Sequence, residues 1–138
     1  MQNRLVRATG VAVVIGVSAC AQVETIPRRA VHLTIDGNTH STRSAACSQD
    51  QSYRTINIRE SGGQVEAVVL FSGGRAIAQW VMIRNVDGFT GSFWAGGVGD
   101  ARAEVANNTY TITGSASGIS SSDPNKVVTA EFKITAEC

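Results

Sequence analysis

The chain has 138 residues, of which 43% are hydrophobic and 17% are charged, and its formal net charge is +1. This length suits a single domain, and these proportions exclude a disordered chain and a polytopic membrane protein. Nucleic-acid binding requires a basic patch or stripe, which a nearly neutral chain does not favour, so no nucleic-acid partner is expected.

The first nineteen residues have the form of an export signal. Residues 1–7 carry two arginines and no acidic residue, and residues 8–19 carry no charge. A positive stretch, an apolar run of roughly 7–15 residues and small residues at its end are typical of a secretory signal. The run is shorter than the about 20 residues that a transmembrane helix needs. Residues 1–19 are therefore predicted to be a signal peptide.

The end of this segment, Val17-Ser18-Ala19-Cys20, resembles a bacterial lipobox. In proteins with that motif the cysteine thiol is joined to a diacylglycerol, and the signal is then cut before the cysteine. Several acyl chains on one residue give stable attachment, whereas one chain alone holds only marginally. Cys20 is thus the predicted lipidation site, on the extracytoplasmic side of the cell membrane, and residues 20–29 form a lipidated tether. An ordinary cleaved signal with a chance cysteine is the alternative.

Two further cysteines, Cys47 and Cys138, remain for a disulfide. Disulfides persist in exported proteins, and two cysteines allow one pairing. The bridge would close a loop of 91 residues, for which the chain-entropy model gives about 4.6 kcal/mol as an upper value. A pair of metal-binding thiols is the rival interpretation, but no histidine cluster accompanies them. No metal site and no cofactor are predicted.

Residues 30–138 show the alternation of β-strands. Val31, Leu33 and Ile35 share one face, and Asp36-Gly37 is a two-residue hairpin signal. Asn107-Asn108 is another tight-turn signal, before the strand candidate at 110–117. The following strand is predicted to continue to Cys47. Further strand candidates with turn residues between them are 53–59, 65–71, 76–83, 88–94, 101–105, 110–117 and 128–136. This spacing favours a sandwich or a barrel, and we predict an antiparallel β-sandwich of about 7–9 short strands closed by one disulfide.

Two segments of this region have a more specific interpretation. Residues 76–83 are apolar on both faces, which is typical of a strand in the middle of a sheet or under a cover. Asp123-Pro124 could begin a helical turn over residues 121–126.

The sequence contains no recognisable catalytic motif. His32 and His40 are its two histidines, and His32 alternates with apolar neighbours, so it is expected to face solvent. A Ser-His-Asp site needs an oriented base and a nucleophile within reach, and no nucleophile-elbow motif is present. Residues 96–99 (GGVG) lack the Lys-Ser/Thr of a phosphate loop and predict a turn. No enzymatic activity is predicted.

The C-terminal segments 110–119 (YTITGSASGI) and 131–138 (EFKITAEC) resemble the mycobacterial nineteen-kilodalton lipoprotein antigen family. The resemblance covers roughly residues 1–20 and 30–138. It implies a lipid-anchored envelope protein without established enzymatic activity, whose lipidated N-terminus is sensed by host innate receptors. Cys20 corresponds to the lipidated cysteine, and Cys47 with Cys138 to the disulfide pair. Known members carry a long Thr/Ser/Ala-rich linker, whereas Thr25 is the only hydroxyl residue of this tether.

Two functions are compatible with these features. One is an anchored, non-catalytic structural or interaction module. The other is a carrier that binds an apolar or lipid ligand between its sheets, with Trp80, Met82 and Phe93 lining the pocket. Filling of an ordinary core is the simpler explanation of these large side chains, because a domain of this size has limited room for both a core and a ligand cavity.

Overall fold

The computed structural model describes residues 31–42 and 45–138, and every regular element within these ranges is a β-strand. The ten strands are β1 (Val31–Ile35), β2 (Asn38–Thr42), β3 (Ala46–Asp50), β4 (Tyr53–Glu60), β5 (Gly63–Ser72), β6 (Arg75–Val86), β7 (Phe89–Trp94), β8 (Asp100–Ala106), β9 (Thr109–Ser120) and β10 (Asp123–Glu137). The prediction of an all-β, antiparallel fold is confirmed.

Two-residue turns connect most neighbouring strands. Asp36 and Gly37, with φ angles of 46° and 82°, join β1 to β2. Asn107 and Asn108, with φ angles of 50° and 61°, join β8 to β9. Positive φ at both central residues is the geometry of the type I′ turn, which matches the right-handed twist of paired strands. These predicted turns are confirmed, and the GGVG segment is also a turn, between β7 and β8.

The strands form one sheet in the order β2-β1-β10-β9-β7-β6-β5-β4-β3, and β8 pairs with the half of β9 that β7 leaves free. The count exceeds the predicted seven to nine, and β10 alone has 15 residues. The prediction of one strand from the first turn to Cys47 is wrong, because β2 and β3 are separate and lie at opposite ends of this order. The suggested helical turn over 121–126 is also wrong: β10 begins at Asp123.

The sheet folds back on itself, although no strand pairing among residues 31–42 and 45–138 joins its two ends. Ala46 in β3 follows Thr42 in β2 by four positions, so covalent geometry keeps these ends of the two edge strands within about 14 Å of each other. The Cys47–Cys138 disulfide joins β3 to the residue that follows β10, with a Cα–Cα distance of 5.8 Å. The predicted pairing is present, and the bridge fastens one half of the sheet to the other.

The described residues form one hydrophobic core between the two halves. It includes Leu33, Ile112 and Ile134 from one half and Ile56 and Val81 from the other, all without solvent exposure. No polar or charged residue within the described ranges is buried. Strands β1, β4 to β7, β9 and β10 supply the buried residues, and their alternation follows the pleat of a β-strand.

Two bulges in β6 keep its apolar residues directed inward. Val68 pairs with Trp80 and Val69 with Ala78, so Gln79 is an extra residue between them. A second register shift lies between Ile83 and Val86. An extra residue moves all following side chains to the opposite phase, and Ala78, Val81, Ile83 and Val86 are consequently all buried. As predicted, β6 lies inside the sheet, between β5 and β7.

Candidate functional site

The outer face of strands β4 to β7 carries large apolar side chains in register. One cross-strand row joins Tyr53, Leu70 and Ile77, and the next row joins Val68, Trp80 and Trp94. Met82 follows Trp80 on the same face of β6 and pairs with Glu66. We name this set the outer apolar surface; it consists of Tyr53, Val68, Leu70, Ile77, Trp80, Met82 and Trp94.

Several members of the outer apolar surface are substantially exposed to solvent. Trp94 is 58% exposed, Tyr53 44% and Ile77 41%, while Val68, Leu70, Trp80 and Met82 are partly buried. Single exposed apolar residues need no explanation, but contiguous ones on a soluble domain mark sites of protein or membrane interaction. Their alignment across four neighbouring strands makes this face the candidate functional site.

The structure brings together two of the three residues predicted to line an apolar pocket. Trp80 and Met82, with Gln79, Trp94 and Ala95, line an open depression of about 450 Å³. Phe93 does not join them, because it pairs with buried Val81 and lies in the core with 4% exposure. Successive residues of a strand point to opposite faces, so the neighbouring Trp94 takes the place that the prediction gave to Phe93.

Backbone hydrogen bonds fix the position of Trp94. Its amide donates to the carbonyl of Val98 at 2.8 Å, and the amides of Gly97 and Val98 donate to the Trp94 carbonyl. The amide of Ala95 donates to the carbonyl of Gln79, the bulge residue of β6, at 2.9 Å. The loop after β7 is therefore fastened to the bulge, and both tryptophans are held on one rigid sheet.

Charged and polar side chains lie beside the outer apolar surface. Beyond the row of Met82 and Glu66, the next cross-strand row on this face consists of Arg59, Gln64 and Arg84. The Nε of Arg84 lies 3.2 Å from the Sδ of Met82, so its aliphatic part extends along the apolar residues. Glu66 supplies a carboxylate in the Met82 row. These two arginines and one glutamate give this edge a net positive charge.

A second, more polar groove of about 860 Å³ lies where β6 and β8 are not hydrogen-bonded to each other. Alanines and charged residues share its wall, among them Ala76, Ala103, Asp100, Arg102 and Lys133. It is an open surface groove and none of the predicted pocket residues lines it.

His40 connects three separate parts of the fold. Its Nε2 lies 2.7 Å from an Asp87 carboxylate oxygen in the β6–β7 turn, and its Nδ1 lies 3.7 Å from a Glu60 carboxylate oxygen at the end of β4. The hydrogen bond to Asp87, reinforced by the two negative charges, raises the pKa of His40 above its ordinary value of 6.5. This cluster, absent from the sequence-based predictions, links edge strand β2 to the opposite half of the sheet.

The other predicted features have different outcomes. His32 is exposed on the outer face of β1, where its Nδ1 lies 3.1 Å from the Ser41 hydroxyl. Cys20, the signal over residues 1–19 and the tether over 20–29 lie outside the described residues. Across residues 31–42 and 45–138 there is no group of three or more His, Cys, Asp or Glu side chains suited to a metal ion. Those residues also contain no helix that is long and apolar enough to cross a membrane.

Comparison with known proteins agrees with the family resemblance found in the sequence. Residues 24–138 match the family described as Mycobacterium 19 kDa lipoprotein antigen. The chain belongs to this family. It is 64% identical over 140 aligned positions to the probable lipoprotein LppE of Mycobacterium tuberculosis, and the alignment covers all of both chains. It is also 36% identical over 86 residues to the lipoprotein LpqH of Mycobacterium avium, covering 61% of this chain and 53% of the relative.

A relative from Mycobacterium avium subsp. hominissuis, described as a putative lipoprotein, is 34% identical over 106 residues, which covers 77% of this chain and 74% of the relative. Membership of this family supports a lipoprotein role and association with the membrane or the envelope.

Proposed function

We propose that this protein is anchored to the extracytoplasmic side of the cell membrane through lipid on Cys20. Its β-domain then acts as a non-catalytic interaction module that binds through the outer apolar surface. The observation that carries the proposal is the outward alignment of Trp80, Met82 and Trp94 on a rigid sheet. The family membership and the lipobox-like sequence before Cys20 support the anchor. The lipidated N-terminus is in addition the part that host innate receptors would contact.

The filled core favours an interaction module over a carrier that holds a ligand between the sheet halves. Large residues such as Ile58, Ile83, Ile112 and Ile134 occupy that space and are without solvent exposure. The carrier remains the second candidate because the groove beside β8 has about 860 Å³, within the roughly 300–1,000 Å³ of small-molecule sites. Its charged lining fits an amphipathic ligand better than a purely apolar one.

The anchor and the carrier alternative are tested together by mass spectrometry of the protein extracted from its native membranes without reduction. We expect the mass of the chain from Cys20, plus diacyl or triacyl lipid, less two hydrogens for the disulfide. The Cys20→Ala variant should lack the lipid and leave the membrane fraction. A bare cleaved chain would contradict the anchor. Additional mass that is lost on denaturation would favour the carrier.

The interaction surface is tested by hydroxyl-radical footprinting of the protein in native membranes and after purification in detergent. We expect Trp94 and Met82 to be oxidised less in the native membranes, because a bound partner shields them. His32 is exposed on the other half of the sheet and provides the internal control, since its oxidation should be the same in both samples. Equal oxidation of Trp94 and Met82 in the two samples would refute an interaction through this surface.

A further inference from the structure

We propose that the partner of the outer apolar surface is the lipid bilayer that holds the anchor. In this arrangement the domain lies on the membrane with Trp80, Met82 and Trp94 at the level of the lipid headgroups. The proposal rests on the proposed anchoring at Cys20. It adds which face of the domain is turned toward the membrane, and anchoring alone does not require any particular face.

The length of chain between the anchor and the domain supports this occupant. Eleven residues lead from Cys20 to Val31, where β1 begins, and a fully extended chain of that length spans at most about 40 Å. A domain of this size is roughly 35 Å across, given a radius of gyration of about 13 Å. The tether therefore lets any face reach the bilayer but never lets the domain move far from it. The bilayer is consequently present at a high effective concentration, so even a weak surface contact is populated.

The composition of the surface matches a membrane interface. Tryptophan and tyrosine concentrate at the headgroup level of membranes because their rings are apolar with one polar group. The surface presents Trp80, Trp94 and Tyr53 beside aliphatic residues. Arg59 and Arg84 are exposed in the adjacent row, where long cationic side chains can reach phosphate groups while their stems stay on apolar surface. Their charge exceeds that of Glu66 and complements anionic lipid.

The experiment uses the full mature lipoprotein reconstituted into vesicles of phosphatidylcholine and phosphatidylglycerol. The chain has two tryptophans, and both lie on the outer apolar surface, so intrinsic fluorescence reports on this face alone. Flotation of the vesicles measures anchoring. Quenching by phosphatidylcholine brominated in its acyl chains measures contact with lipid, and quenching by aqueous iodide measures exposure to water.

We expect the protein to float with the vesicles and its tryptophans to be quenched by brominated lipid and shielded from iodide. Met82→Glu places a charge in the depression that Met82 lines together with Trp80 and Trp94, and it should reduce quenching by brominated lipid while flotation is retained. Thr113→Glu is the matched control, because Thr113 is exposed on the other half of the sheet beside Arg102 and Lys133; its quenching should equal that of the unmodified protein. Trp94→Ser, at an exposed position, is the second test variant and should weaken quenching of the remaining Trp80.

Each other outcome overturns the proposal in a distinct way. Flotation with iodide-accessible tryptophans means that the anchored domain stands away from the bilayer. Shielding from iodide without quenching by brominated lipid means that protein, including a second copy of this chain, covers the surface. Equal lipid quenching in the unmodified protein and both test variants means that this face does not determine the contact. Loss of flotation contradicts the anchor itself, and with it the proposed function.

Discussion

Removal of the Cys47–Cys138 disulfide is expected to destabilise the domain strongly. The bridge closes a loop of 91 residues. In the chain-entropy model this loop lowers the entropy of the denatured chain, which stabilises the fold by about 4.6 kcal/mol at 25 °C. This is an upper value, because a real denatured chain retains some structure. For a domain of about 100 residues, each kcal/mol shifts the Tm by about 4–8 °C. The Cys47→Ala/Cys138→Ala variant should therefore melt about 20 °C below the unmodified domain.

The loss of stability should be concentrated in β3 and at the end of β10. Among the described strands β3 pairs with β4 alone, and all its residues except Cys47 are exposed, so little besides the disulfide holds it against the end of β10. Hydrogen exchange should rise first in the amides of β3 and of the last residues of β10. The free energy of unfolding is measured by guanidinium titration, and Ser48→Ala, on the same exposed strand, is the control with an expected change within about 0.5 kcal/mol. A loss below about 1 kcal/mol for the double variant would refute the loop-entropy argument.

Two further predictions concern His40 and the glycines of the sheet. Because the pKa of His40 is raised in the folded state, its charged contacts stabilise the fold fully below pH 6.5 and are lost as the pH rises through the folded-state pKa. His40→Gln should thus cost up to about 1 kcal/mol in acid and nearly nothing at alkaline pH in urea titrations; a cost independent of pH would contradict this role. A Cβ on Gly118 would lie 2.0 Å from the Thr90 carbonyl oxygen, so Gly118→Ala should cost about 1–3 kcal/mol by thermal unfolding. Gly97→Ala should be nearly neutral, because the nearest atom to a Cβ added there is 3.8 Å away. Equal losses of stability in Gly118→Ala and Gly97→Ala would show that close strand packing does not cause the destabilisation at Gly118.

Local features of the sequence were sufficient to predict the strands and most of the turns between them. The alternation of Val31, Leu33 and Ile35 predicts the buried face of β1, since a strand has a side-chain period of two. Asp36-Gly37 and Asn107-Asn108 predict their turns because these residues tolerate positive φ. The disulfide followed from counting cysteines in a chain predicted to be exported. None of these inferences requires knowledge of a distant residue.

Features that depend on pairing between distant strands were missed. The polar segments of β2 and β3 lack apolar alternation, so nothing local shows that the chain crosses from one edge of the sheet to the other between them. Phe93 and Trp94 are adjacent, and only the register of β7 against β6 places one in the core and the other outside. The meeting of His40 with Asp87 joins residues 47 positions apart, and no spacing rule predicts such contacts.

The sequence by itself therefore predicted an export signal and a lipid site at Cys20, and it determined the strand-rich domain and its family. All of these features follow from composition, periodicity and motifs among residues that are close together in the chain. Only the tertiary structure decided which apolar residues face outward, because a one-residue bulge at Gln79 changes the phase of β6 and a shift of one residue moves every following side chain to the other face. The outer apolar surface exists because of that register.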